Sequence, residues 1–209
     1  MSKFDIFPVT LHEYEIEDKS INQRLIPLLE KERFLNNGVE NIHPMMRCWQ
    51  TDHYLHEKEV YSDLISFFKK SLKEYVEELK IDCEELGISI CWGNKYPKNT
   101  ASQQIPHVHR MSYISGVYYL TDGAPTFFND PVIPRTVNAL QPSDSIPRTA
   151  IIPIKEGRLI LFPSWLEHGT LPHQDVTNRW SIAFNTIPIG KINIESNISG
   201  NPSCILKLG

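Results

Sequence analysis

Beyond Gly87 the apolar residues of this chain fall in short runs with no helical spacing between them, and this pattern restricts the fold more than any other feature. The runs are Ile88 to Trp92, Tyr113 to Leu120, Leu159 to Phe162 and Trp180 to Ile187. All are rich in β-branched and aromatic residues, as strands are. Loops that carry most of the prolines separate them, and strands joined without intervening helices close into an antiparallel sandwich or barrel. The stretch from Pro131 to Pro153 is expected to be a long surface loop near a functional site. Gly116, inside an otherwise apolar strand, marks either a bulge or the close approach of a bound molecule.

The first third reads differently. From Lys58 to Lys80, Tyr61, Leu64, Ile65, Phe68, Leu72, Tyr75, Val76 and Leu79 recur at three-then-four spacing, which puts them on one helix face. That face needs a partner surface. A shorter helix is expected from Ser20, whose hydroxyl can cap the amide of Gln23, with Pro27 kinking or splitting the helix beyond it. The expected organisation is one domain over residues 1–209: a mostly helical part (1–86), a β core (87–190) and a C-terminal tail (191–209), with helices buttressing one sheet. The length of 209 residues and the absence of a composition break favour one domain over two.

With 41% hydrophobic and 22% charged residues, neither a disordered nor a fibrous chain is indicated. A formal net charge of −4 and the absence of long like-charge runs argue against a phosphate-backbone binder, so nucleic acid is not an expected partner. No apolar stretch is long enough to span a bilayer and MSKFDIFPVT lacks the form of a signal peptide, which leads to the expectation of a soluble, cytoplasmic protein. Cys48, Cys83, Cys91 and Cys204 have no CxxC spacing and are expected to be reduced, partly buried thiols.

Three elements carry chemistry. In His107-Val108-His109 alternate side chains of an extended segment share a face, so both imidazoles can serve one ion. Alone, such a pair is weak. His168 follows an apolar strand that ends in Phe162-Pro163-Ser164-Trp165, and a ligand distant in sequence is what a jelly-roll site supplies. Eleven positions on, Arg179, Ser181, Ala183 and Asn185 share one strand face while Trp180, Ile182, Phe184 and Thr186 share the other. A polar interior face suggests a ligand, and an arginine fork with a nearby serine hydroxyl suits a carboxylate.

Taken together these elements resemble a known family. HVHRMSYISGVYYL (residues 107–120), LFPSWLEH, RWSIAFN, the segment Trp92-Gly93-Asn94 and the opening Ile6-Phe7-Pro8 are similar to phrases of the 2-oxoglutarate/Fe(II) dioxygenases, which share a prolyl-hydroxylase-like double-stranded β-helix. The resemblance implies a mainly β, cupin-like jelly roll with N-terminal α-helices. It implies an oxidoreductase that uses Fe(II), 2-oxoglutarate and O₂, hydroxylates a C–H bond of an unidentified small molecule or peptide, and releases succinate and CO₂. It gives His107, His109 and His168 as iron ligands and Arg179 as the grip on the cosubstrate's far carboxylate. Ser181, Tyr119 and Asn94 are further cosubstrate contacts.

One departure stands out: most members have a carboxylate where this chain has His109. Three neutral imidazoles leave the ion's charge uncompensated; 2-oxoglutarate balances it, or Asp130 does, although a turn-forming Asp before proline is the simpler reading. His173 is expected to be exposed or to touch substrate, and His12, His43, His53 and His56 carry no metal role. Two rivals stay open: a three-histidine cupin dioxygenase without cosubstrate, and a metal-binding jelly-roll module without activity.

Overall fold

The computed structural model describes residues 8–37, 48–132, 148–192 and 203–205. In chain order the elements are β1 (His12–Glu15), α1 (Ser20–Leu29), β2 (Phe34–Asn37), β3 (Trp49–Thr51), two 3₁₀ turns (Leu55–Glu57 and Glu59–Tyr61), α2 (Ser62–Glu78), β4 (Cys83–Tyr96), β5 (Ser102–His107) and β6 (Ile114–Tyr119). There follow β7 (Thr126–Asn129), β8 (Thr149–Ile152), β9 (Arg158–Pro163), β10 (His168–His173), β11 (Arg179–Ile192) and β12 (Ser203–Ile205). An eight-stranded sheet runs β1-β9-β6-β11-β4-β3-β2 with β12 on β11, and a four-stranded sheet runs β5-β10-β7-β8. Every strand pairing within the two sheets is antiparallel. The architecture is the helix-buttressed β jelly roll expected from the sequence.

The expected helix face is buried against the outer surface of the large sheet. Leu64, Ile65, Phe68, Leu72 and Tyr75 of α2 and Ile21, Leu25 and Leu29 of α1 join Tyr118, Trp180, Ile182 and Phe184 in one core. The Phe68 ring stacks on Phe184 with centroids 4.6 Å apart. Leu79, just past the helix, is partly exposed. Period-two alternation separates the two tyrosines of β6. Tyr118 points to the helices and donates to Asn22 Oδ1 at 2.6 Å, whereas Tyr119 packs between the sheets.

Several expectations need correction. The N-terminal part is not mostly helical, since β1, β2 and β3 lie in it and extend the large sheet at both edges. Strand β4 begins before Gly87, where the absence of a side chain makes room for Ile189 of β11. Ser20 is the first residue of α1 and forms no side-chain cap, and Pro27 sits inside the helix without splitting it, because only two residues remain before it ends. Most of the expected loop from Pro131 lies outside the described residues, but Thr149–Ile152 is a strand paired with β7. Part of the expected tail likewise pairs with β11 as β12. Cys48 and Cys91 are buried free thiols and Cys83 is half-buried and free, while the side chain of Cys204 lies outside the described set. Among the described residues no helix is long and apolar enough to cross a membrane.

Gly116 is neither a bulge nor a ligand contact. The register of β6 with β9 and β11 is unbroken there, and a Cβ at this position would lie 2.3 Å from Phe184 Cζ and 2.9 Å from Leu161 Cδ2. The glycine seats the Phe184 ring beneath α2. Gly116→Ala is therefore expected to destabilise the fold by about 1–3 kcal/mol through overpacking, read as a fall in Tm of about 2–4 °C per kcal/mol, with metal affinity at the site unchanged.

Candidate metal centre and anion pocket

A cavity of about 370 Å³ opens between the two sheets, lined by His107, His109 and His168 on one side and by Asn94, Tyr96, Arg179, Ser181 and Asn185 on the other. Strand pairing builds its histidine side. His107 ends β5, His168 begins β10, and the two are direct register partners although 61 positions separate them. Directly opposed residues on antiparallel strands have Cβ atoms about 4.5–5.5 Å apart, and here the ring centroids are 4.5 Å apart. His109 lies beyond the strand in an extended segment whose amide donates to Ser164 O at 3.0 Å, so the turn that precedes His168 also fixes His109.

One ligand atom from each of the three histidines lies within 4.8 Å of the others. His107 Nδ1–H donates to Ile105 O and His168 Nδ1–H to Leu166 O, both at 2.8 Å. These bonds fix the tautomer and leave the Nε2 lone pairs free for an ion. His109 Nε2 and His168 Nε2 are 3.2 Å apart, close to the separation of about 3 Å that two nitrogens bound at about 2.1 Å subtend at a right angle. The donor set thus suits a first-row divalent ion. Burial pushes the pKa of His109 down to about 4 and that of His168 down to about 3, with His107 adding to both shifts, so these two rings stay neutral at pH 7.

The other side holds a buried cation. Arg179, only 1% exposed, opens β11 opposite Tyr96, and its Nε and Nη1 have no hydrogen-bond partner among the described residues. Its guanidinium carbon sits 4.3 Å from the centre of the Tyr96 ring and 5.5 Å from that of Tyr119. At Gly123, whose φ is +145°, the backbone runs over the arginine stem in a conformation that favours glycine. An unpaired buried charge is expensive. A carboxylate entering the cavity would remove that cost, and Ser181, buried on the same strand face, adds a hydroxyl beside it.

The structure brings together His107, His109, His168, Arg179, Ser181 and Asn94, all on the cavity wall. Tyr119 does not line the cavity. It lies behind Arg179 with its hydroxyl 2.7 Å from Thr126 Oγ1, and burial raises its pKa against the pull of Arg179, keeping the phenol protonated. Asn94 uses its Oδ1 to accept from Gln50 Nε2 at 3.0 Å and Trp92 Nε1 at 3.1 Å. Asp130 is outside the cluster and closes a turn by accepting from the Val132 amide at 2.9 Å. His173 is fully buried rather than exposed, and its Nε2–H donates to Thr177 O at 2.7 Å. His53 stands on the cavity wall with its ring 5.6 Å from that of Trp92, outside the ligand cluster, and His43 lies outside the described residues. Sequence reasoning missed Tyr96, although strand alternation places it on the face of Asn94 two positions earlier.

Residues 90–185 match a family described as "Putative 2OG-Fe(II) oxygenase". A search of curated proteins found no match. Among solved structures, the chain is similar to a prolyl-4-hydroxylase from Pseudomonas putida at 14% identity and a TM-score of 0.61, covering 87% of this chain and 94% of that one. HygX from Streptomyces hygroscopicus, with nickel, 2-oxoglutarate and hygromycin B bound, matches at 13% identity and a TM-score of 0.59, over 86% and 83% of the two chains. A Trichoplax adhaerens prolyl hydroxylase in complex with a peptide fragment of hypoxia inducible factor matches at 14% and 0.58, over 85% and 83%. At such identities the likeness is one of fold.

The depressed histidines set a pH dependence. An unfolded histidine titrates near 6.5, so as pH falls below that value the unfolded chain takes up protons that folded His109 and His168 refuse, and stability drops through a window from about 6.5 to about 4 for His109 and about 3 for His168. Thermal melts in a chelator between pH 7 and pH 4.5 should show this slope. A double His109→Asn, His168→Asn variant should show a shallower one, and an equally steep slope would refute the assignment.

Proposed function

Residues 90–185 belong to the 2OG-Fe(II) oxygenase family, an oxidoreductase class, and on that premise we propose that this chain is a 2-oxoglutarate- and Fe(II)-dependent dioxygenase that hydroxylates a C–H bond of a small-molecule or peptide substrate. The observation that carries this reading is the buried, unpartnered Arg179 guanidinium facing a three-imidazole cluster across one cavity. A cupin dioxygenase working without a cosubstrate has no use for such a cation, and neither has a module that merely stores metal. The molecules named with the similar structures, a peptide and hygromycin B, support a substrate within that range of size.

In this reading His107, His109 and His168 hold the metal through Nε2, each neutral at the moment of binding. When bound, the metal with 2-oxoglutarate and O₂ supplies the oxidising power that breaks a C–H bond, the keto acid leaving as succinate and CO₂. Arg179 and Ser181 take the cosubstrate's far carboxylate, and the Tyr96 and Tyr119 rings hold the guanidinium in place by cation–π contact. Asn94 orients Trp92 and Gln50 on the wall through its side-chain oxygen. Without a carboxylate ligand the ion keeps its full charge, and the dianionic cosubstrate balances it.

Anaerobic calorimetry with Fe(II) and then 2-oxoglutarate tests the assignment. Arg179→Ala should leave metal binding intact and weaken 2-oxoglutarate binding about a hundredfold or more, the expected result of leaving a buried carboxylate unpaired; unchanged affinity would discard the role. His168→Ala should abolish tight metal binding and uncoupled succinate formation together, and retention of both would mean that another residue completes the triad. Screening peptide and metabolite pools for stimulated succinate release then identifies the substrate.

A further inference from the structure

Asn185 shares the inward face of β11 with Arg179 but stands six residues further on, roughly 20 Å along an extended strand. It is tied to the metal-ligand loops. Ser115 Oγ donates to Asn185 Oδ1 at 2.7 Å, Ser164 Oγ lies 2.8 Å from Ser115 Oγ, and Ser112 Oγ extends the chain another 2.8 Å. The backbone carbonyl of the same Ser164 holds the amide of His109. Ser115 donates to the carboxamide oxygen whichever way the Ser112–Ser164 pair is oriented, since Ser112 also has the Thr186 carbonyl as an acceptor at 3.2 Å. One of the two lone pairs on the Asn185 carboxamide oxygen is therefore taken. Its Nδ2 has no partner among the described residues, although the residue is 5% exposed and on the cavity wall. Two N–H groups are thus presented to whatever enters.

Resting on the oxygenase reading above, we propose that Asn185 is a specificity-determining residue. It donates to a carbonyl or hydroxyl oxygen near the carbon to be oxidised, so the reacting part of the substrate is polar and uncharged. An ammonium group would meet the Asn185 N–H donors, with one lone pair of the carboxamide oxygen already held by Ser115. A carboxylate would be buried against a neutral amide with no countercharge, because the fixed positive charge on the wall among the described residues is Arg179, at the opposite end of the strand face and committed to the cosubstrate.

The test uses the full chain loaded with Ni(II), a redox-inert stand-in for Fe(II), and saturated with 2-oxoglutarate. Two matched sets of probes are titrated by ligand-observed NMR: propionamide, propionate and propylammonium; benzamide, benzoate and benzylammonium. The amide of each set is expected to bind at least about tenfold tighter than its charged counterparts. Asn185→Ala should remove that preference, and Asn185→Asp should reverse it in favour of the ammonium form. Affinity for 2-oxoglutarate should stay within about twofold in both, a control for folding that a general packing defect would not pass. Ser115→Ala, which frees the carboxamide oxygen, should weaken amide binding and narrow the margin over the ammonium form, and it keeps the proposal testable if Asn185→Asp does not fold. A wild-type preference for a charged form, no binding of any probe, or an unaltered order in the Asn185 variants would overturn the proposal while leaving the oxygenase reading intact. Failure of the wild type to bind Ni(II) and 2-oxoglutarate would overturn both.

Discussion

Strands β4 and β11 pair over fourteen-residue spans, and the alternation of their side chains divides the molecule into a dry half and a chemical half. On one face Trp180, Ile182 and Phe184 seal against α1 and α2 in the main core. On the other, Arg179, Ser181, Ala183 and Asn185 meet Asn94 and Tyr96 and look into the cavity. A register slip of one residue would exchange the faces, placing an arginine in an apolar core and aromatic rings in the site. The helical layer thus does more than cover a sheet, because its apolar stripe fixes which β11 residues must face inward.

The cavity carries two electrostatic costs that point to the same kind of occupant. Arg179 is kept charged and dry between two tyrosine rings with donors unused, and His109 and His168 are held neutral by burial with Nε2 atoms close together. An anion at one end and a cation at the other relieve both. Three imidazoles bring no negative charge to an ion held among them, so charge balance would fall on what else is bound. The fold stores this demand in rigid strands, where β5 and β10 fix the imidazole pair and the Ser164 turn supplies the third.

Much of this was legible in the sequence wherever the cause was local. The three-then-four spacing around Phe68 is a helix because 3.6 residues make a turn, and the alternation from Arg179 to Thr186 is a strand because its period is two. The HxH pair, His168 and the Arg-x-Ser element name their chemistry by residue type. Even the opposed directions of Tyr118 and Tyr119 follow from alternation alone, although which of them faces the site does not.

Non-local geometry lay beyond the sequence. The pairing of His107 with His168, the opposition of Tyr96 to Arg179 and the burial of His173 depend on which distant strands become neighbours and in what register. The strands at the N-terminal edge were illegible because they are short, lie at a sheet margin and carry little periodic signal. Gly116 read as a bulge or a ligand approach because only the packed structure reveals the Phe184 ring against it. The sequence by itself determined the elements, their faces and the inventory of ligating groups, since these obey the short-range geometry of the backbone. Tertiary structure alone decided which groups converge, because convergence is set by sheet register and stacking between residues far apart in the chain.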